Sequence, residues 1–185
     1  MAVSHKDKLV FIHIPKTGGT SISSALNLNP SAQRRHLSYL NLKSKFKKDI
    51  SKYFSFTFVR NPWDRVVSEF FWRKSCVHLN TKKLNLEQFV YKIKDMENPH
   101  LANQHSFIID NQGKKLVDFI GRFEFLEKDF KTACNKANLS ERKLPCKNKT
   151  KHRHYTEYYN NNTRDIIAEK YAKDIEYFNY KFERI

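Results

Sequence analysis

The sequence predicts an α/β fold in which a small central, mostly parallel sheet is flanked by helices in three layers. An apolar run over residues 9–14 breaks into a glycine-containing loop and then a helix. An alternating aromatic run over residues 53–59 predicts a second strand, and the next helix follows a turn at Pro62. A third short strand is predicted over residues 116–120, before another helical pattern.

The length of 185 residues fits one domain over residues 1–185, and no repeat or linker suggests a boundary. The formal charge of +16 favours polyanionic partners, such as nucleic acid, acidic polysaccharide, an anionic membrane surface or a charged nucleotide. Charge alone does not choose among them.

The three cysteines are odd in number and widely spaced, so neither a disulfide framework nor a cysteine zinc site is indicated. The first residues contain no apolar leader segment, and no later apolar run approaches the length of a membrane span. From these features we expect a cytoplasmic chain with free thiols.

The first junction holds a candidate anion site. Adjacent glycines let several backbone N–H groups converge, and a helix beginning at Ser/Thr caps before Ile22 adds further donors and a positive dipole end. Lysine supplies a full charge and three hydroxyls can donate to phosphate or sulfate oxygens. The residues are Lys16, Thr17, Gly18, Gly19, Thr20 and Ser21. Because the lysine precedes the glycines, this is not the Walker A order, which disfavours a standard nucleoside triphosphatase.

The second junction offers another basic site. Arg60 follows the second strand, and Ser68 lies about two turns into the next helix. Both can face the crevice at the carboxyl ends of the strands, where open α/β sheets bind ligands. A solvated or ion-paired strand end remains the alternative for Arg60. On the helical wheel, Trp63 and its apolar partners take the core face, and Arg65 and Glu69 fall elsewhere.

Further helices are predicted over residues 40–46, 86–94, 124–138 and 163–176. Residues 140–154 form the most basic segment, which could be a disordered solvated loop or a cover for a nucleotide. His100 and His105 are five residues apart and have no evident carboxylate partner, so we predict no metal site.

Three motifs together resemble the carbohydrate sulfotransferases, and more narrowly the branch of chondroitin and heparan 2-O-sulfotransferases. They span residues 14–21, 58–68 and 117–124, the last with Asp129 and Phe130. The segment over residues 155–182 is similar too. The resemblance implies a P-loop-like three-layer fold. It also implies transfer of a sulfuryl group from 3′-phosphoadenosine 5′-phosphosulfate (PAPS) to a saccharide or other hydroxyl acceptor, giving 3′-phosphoadenosine 5′-phosphate (PAP).

The resemblance also implies roles for individual residues. Lys16 to Ser21 would hold the 5′-phosphosulfate, and Arg60 with Ser68 the 3′-phosphate. The family has a general-base histidine between these motifs, a role that falls here on His36, otherwise a surface histidine. Lys16 would stabilise charge on the leaving phosphate. His100 and Gln104 would face the acceptor, as would His36, and the segment with Lys149, Thr150 and Arg153 would cover the nucleotide.

Two other functions remain open from the sequence. A basic nucleic-acid-binding protein would use the segment from Arg142 to Arg153, although we expect no stable nucleic-acid partner. A nucleotide-dependent phosphotransferase is made less favourable by the order of lysine and glycines in the first loop.

Overall fold

The computed structural model describes residues 2–28, 36–46, 49–76, 83–140, 142–145 and 153–183. By its internal contacts the chain divides into two compact units. Unit 1 comprises Met1–Val59 and Gln104–Asn148, and unit 2 comprises Arg60–Asn103 and Lys149–Ile185. The single domain expected from the length remains a prediction.

The strands are β1 (Val3–Ser4), β2 (Leu9–Ile12), β3 (Phe54–Val59) and β4 (Phe119–Arg122). The helices are α1 (Gly19–Ala25), α2 (Tyr39–Lys45), α3 (Pro62–Ser75), α4 (Leu86–Ile93), α5 (Leu126–Lys136), α6 (Asn161–Lys170) and α7 (Ala172–Phe178). Among the described residues, none of these helices is both long and apolar enough to cross a membrane.

Unit 1 is built on a four-stranded sheet in the order β1-β2-β3-β4. The strands β2, β3 and β4 are parallel, with Ile12 opposite Thr57 and Val59 opposite Arg122, and β1 pairs antiparallel to β2. The predicted α/β class with a small, mostly parallel sheet is confirmed. The edge strand β1 was not predicted because its two residues are too few to show a periodicity.

The core of unit 1 joins the sheet to α1 and α5. Ile22 and Leu26 of α1 and Phe130 of α5 pack in one buried cluster with Phe11 and Phe56 of the strands. Burying each such side chain contributes about 1.5–3 kcal/mol, so these contacts fix α1, and the loop before it, against the end of β2.

Unit 2 contains α3, α4, α6 and α7 around a second apolar cluster. Trp63, Val67 and Phe70 of α3 are buried with Phe89 of α4 and Ile167 of α6. Asn61 begins α3 by accepting from the Trp63 N–H, at 3.2 Å, and Pro62 takes the first helical position, as predicted. The apolar face of α3 is therefore confirmed as a core face.

Two of the predicted elements have different bounds for a reason that is visible in the structure. The strand predicted over residues 116–120 begins later, at Phe119, because Asp118 is tied across to Ser55: its Oδ2 accepts the Ser55 N–H at 2.7 Å and its own N–H donates to the Ser55 carbonyl at 2.8 Å. The helix predicted over residues 163–176 is two helices, which meet at Tyr171. The side chain of Tyr171 is fully buried and its hydroxyl donates to the Leu101 carbonyl at 2.9 Å.

Candidate functional site

The loop between β2 and α1 has a left-handed backbone at two positions. Gly18 has a φ of 81° and is the residue that caps α1, so the Ser/Thr cap expected from the sequence is wrong. Lys16 has a φ of 69°, which is unusual for a residue with a side chain. Lys16, which we assigned to the anion site, is therefore held in a backbone conformation that is unfavourable for a residue with a β-carbon.

The hydroxyl groups of the loop are not equivalent. Thr17 is fully buried and its Oγ1 donates to the Ile14 carbonyl at 2.9 Å, so this hydroxyl closes the loop on itself. Ser21 is also buried, in the first turn of α1, and Thr20 is exposed. The sequence suggested the Thr17 hydroxyl as an anion donor, but it is used for this bond within the loop.

A histidine that we did not single out from the sequence lies directly against this loop. A methyl group added at Gly19 would overlap the imidazole of His13, so only a glycine fits at position 19 while that ring is in place. His13 is 7% exposed and its ring stacks on Phe11, with 5.7 Å between centroids. Its signal in the sequence was weak: a single histidine that continues an apolar strand, two residues before Pro15.

His36, the predicted general base, contacts His13. The Nδ1 atom of His36 is 3.0 Å from the His13 carbonyl oxygen, and the two rings meet edge to face with 4.7 Å between centroids. Because a carbonyl oxygen only accepts hydrogen bonds, Nδ1 of His36 carries the proton and Nε2 carries the lone pair of the neutral ring. Unit 1 thus brings together the glycine loop and a histidine in the tautomer that can accept a proton at Nε2.

Arg60 and Ser68, the second predicted anion site, both belong to unit 2. Arg60 is 6% exposed and its Nε donates to Asp64 Oδ2 at 2.7 Å, one turn along α3. The ion-paired alternative considered for Arg60 is therefore present in the structure. An ion pair through Nε also fixes the orientation of the guanidinium, a planar group whose geometry matches phosphate. Ser68 is buried two turns into α3.

His100 is held by a buried carboxylate. Its Nδ1 is 3.3 Å from Glu69 Oε2, and its ring stacks on Trp72 with 5.1 Å between centroids. The other oxygen of Glu69 accepts from Arg73 Nε at 2.7 Å. Burial by itself raises the pKa of Glu69, but the hydrogen bonds and charges of His100 and Arg73 outweigh it and hold that pKa below its ordinary value.

The remaining predicted residues belong to different units or lie outside the described residues. Gln104 is fully buried and lies in unit 1, whereas His100 lies in unit 2. Arg153 is exposed, with its guanidinium over the Tyr158 ring at 5.6 Å and 3.7 Å from Glu157. Lys149 and Thr150 lie outside the described residues.

Comparison with known proteins identifies the family. The model of the sulfotransferase family matches residues 1–181, nearly the whole chain. This chain belongs to the sulfotransferase family. Mouse sulfotransferase SULT7A1 complexed with PAP is similar in structure, with a TM-score of 0.50 and 16% sequence identity over 98% of this chain and 70% of that chain. No curated protein gave a significant match.

Membership of the sulfotransferase family confirms the predicted enzyme class. The structural similarity, at this low identity, supports the fold and assigns no residue. It agrees with the P-loop-like arrangement that we predicted from the motifs.

Proposed function

We propose that this sulfotransferase transfers the sulfuryl group of PAPS to a hydroxyl group of a saccharide, in the manner of the carbohydrate 2-O-sulfotransferases whose motifs it resembles. The observation that carries the proposal is the pairing, within unit 1, of a lysine-bearing glycine loop with a histidine held in the Nδ1–H tautomer. The similar SULT7A1 structure was solved with PAP, the product that PAPS leaves, which supports the choice of donor.

The donor has two anionic ends, and the motif resemblance assigns a separate group of residues to each of them. We assign the 5′-phosphosulfate to the loop from Lys16 to Ser21, with Thr17 contributing its backbone N–H in place of its hydroxyl. Following the same resemblance, we assign the 3′-phosphate to Arg60 and Ser68, with Asp64 orienting the guanidinium.

The chemistry requires an acceptor oxygen to form a bond with sulfur while the bond between sulfur and the bridging oxygen of the 5′-phosphate breaks. Nε2 of His36 takes the proton of the acceptor hydroxyl, and a positioned base of this kind is typically worth about 10² to 10⁴ in rate. Lys16 stabilises the negative charge that develops on the departing phosphate of PAP. The products are a sulfated acceptor, PAP and a protonated His36, which then releases its proton to water.

A saccharide acceptor is favoured by the motif resemblance and by the charge of the chain. The net charge of +16 attracts anionic ligands and raises their local concentration near the protein. An acidic saccharide would benefit from that field more than a neutral one, so we expect transfer rates that fall as the salt concentration rises.

Thermal shift with PAP tests the donor assignment. PAP at 100 times its Kd stabilises the folded chain by about 2.7 kcal/mol, which raises the Tm of a chain of this size by about 5–10 °C. Arg60→Ala should abolish the shift, whereas Arg164→Ala, which removes the same charge from a partly exposed position on α6, should keep it. Absence of a shift in the wild-type chain at millimolar PAP would exclude the donor.

Transfer of labelled sulfate from PAPS to a panel of saccharides and small hydroxyl compounds tests the acceptor and the base. We expect His36→Ala to keep the PAP thermal shift and to lose about 10² to 10⁴ in turnover. Full turnover in His36→Ala would mean that another group accepts the proton. Salt-dependent binding of oligonucleotides that survives Lys16→Ala, with no sulfate transfer to any acceptor, would favour a nucleic-acid-binding protein instead.

A further inference from the structure

The imidazole of His13 touches both parts of the candidate site in unit 1. On one side it occupies the volume where the β-carbon of any residue other than glycine would stand at position 19. On the other side its edge meets the ring of His36, with 4.7 Å between centroids. His13 therefore lies between the glycine loop and the general base.

The backbone of His13 also connects the glycine loop to His36. Its carbonyl oxygen accepts from Nδ1 of His36, which fixes both the tautomer and the direction of that ring. The carbonyl of the next residue, Ile14, accepts from the buried hydroxyl of Thr17. The chain leaving β2 is therefore tied to the loop across Pro15. A shift of the loop would consequently move the atom that holds His36.

We propose that His13 is a positioning residue that couples the sulfate-donor loop to the general base. Its ring supports the loop beneath Gly19, and its ring and carbonyl together hold His36 in the orientation that presents Nε2. The proposal rests on the proposed function, because it takes Lys16 to Ser21 as the donor loop and His36 as the base. His13 itself moves no proton in this scheme.

The overlap at position 19 predicts that alanine is less stable there than glycine, the reverse of the usual order in a helix. Alanine at the start of a helix is ordinarily tolerated and has a better helix propensity than glycine. At position 19, however, the added methyl group overlaps the His13 ring, and overpacking of this kind is destabilising. We expect Gly19→Ala to lower the Tm of the unliganded chain by about 5 °C and to weaken PAP binding.

The double variant Gly19→Ala/His13→Ala tests whether that ring is the cause. His13→Ala alone loses the packing of a buried ring, so rescue is measured against that single variant: in the His13→Ala background, Gly19→Ala should lower the Tm and the PAP thermal shift much less than it does in the wild-type chain. The matched control is Gly18→Ala, since a β-carbon there meets Leu126 at 3.1 Å and Phe123 at 3.3 Å and the backbone is left-handed. His13→Ala should give no rescue of Gly18→Ala. Equal rescue of both glycine variants, or no rescue of Gly19→Ala, would overturn the steric argument.

Turnover separates a positioning role from a merely structural one. We expect His13→Ala to bind PAP but to lose between about tenfold and 10²-fold in kcat, with little change in KM for PAPS. The alanine keeps the carbonyl that accepts from His36 Nδ1 but removes the ring that supports the edge of the His36 imidazole, so the orientation of His36 is less well fixed. His13→Phe keeps a ring of similar size and should recover most of that loss. If His13→Phe is as inactive as His36→Ala while it binds PAP normally, then His13 acts chemically and the proposal is wrong.

These experiments distinguish the proposal from the function on which it rests. Failure of the wild-type chain to respond to PAP would remove the proposed donor, but it would leave the Tm comparison of the glycine variants unaffected. Conversely, a normal PAP response together with an unperturbed Gly19→Ala variant would leave the sulfotransferase function in place and remove the role of His13.

Discussion

The left-handed backbone of Lys16 predicts that this residue reduces stability while it serves function. Its φ of 69° costs a residue with a side chain about 1–2 kcal/mol relative to glycine. Glycine gives back about 0.4–1 kcal/mol of this because it makes the unfolded chain more flexible. Lys16→Gly should therefore raise the free energy of unfolding by about 0.5–1 kcal/mol, which corresponds to an increase of about 1–4 °C in Tm.

The same substitution removes the positive charge that we assign to the leaving phosphate. We expect Lys16→Gly to lose at least about 10²-fold in kcat, the scale on which removal of a single charge-stabilising donor acts. Stability and activity should consequently change in opposite directions. Strain of this kind is commonly found at functional sites, where the surrounding structure maintains it.

Lys8 provides a matched control for the backbone effect. It has a φ of 48°, is exposed, and lies in the turn between β1 and β2, outside the candidate site. Chemical denaturation of both variants, together with PAP thermal shift and sulfate transfer, separates the two effects. Lys8→Gly should gain stability and keep full activity. A Lys16→Gly variant that is destabilised while Lys8→Gly is stabilised would refute the argument from strain, and one that keeps full turnover would refute the role of the charge.

Two further predictions concern buried polar groups. Folding lowers the pKa of Glu69, so at a pH between the lowered and the ordinary pKa the unfolded chain binds more protons than the folded chain. This carboxylate therefore stabilises the fold above about pH 4.3, and that contribution is lost as the pH falls through the lowered pKa. Glu69→Gln should make the loss of stability in acid shallower, measured by urea unfolding from pH 3 to pH 7, and an unchanged slope would contradict the assignment. Thr17→Val removes the bond to the Ile14 carbonyl and should cost about 1 kcal/mol of stability with PAP affinity largely kept; loss of PAP binding in a stable Thr17→Val variant would show that the hydroxyl serves the ligand instead.

The α/β class and the strand-to-helix junctions were predictable because short apolar runs, Gly18 with Gly19, and Pro62 act within a few residues of the chain. The burial of the polar side of α3 was not predictable in this way. The helical wheel put Arg65 and Glu69 away from the core, yet both are buried, at 2% and 1% exposed. Arg65 donates to the Ala102 carbonyl at 2.6 Å and lies over the Tyr171 ring, partners that are distant in sequence.

In the candidate site, the residues within motifs could be singled out from the sequence, whereas His13 could not. The proposed donor loop was found from its motif, and His36 from its position between two motifs of the resembled family; both assignments stay predictions. His13 was not found in this way, since its role depends on the volume beneath Gly19 and on a carbonyl that reaches His36 across 23 positions of sequence. The pairing of Arg60 with Asp64 fell within reach of the sequence, because residues four apart on a helix are neighbours.

The residues of the first motif, together with His13 just before it, serve two purposes that the sequence does not distinguish. Some stabilise the loop, and others are proposed to contact the ligand. Thr17 and His13 point their polar or aromatic groups into the protein, where they close the loop and support Gly19. Lys16 is the residue of the loop that carries a formal charge, and its backbone is strained to hold that position. Since a hydroxyl beside a glycine can serve either the loop or the ligand, counting donors in a motif overstates the contacts available to an anion. Burial of each side chain separates these two purposes: it assigns the Thr17 hydroxyl to the structure of the loop, and charge stabilisation by Lys16 is the role that we propose.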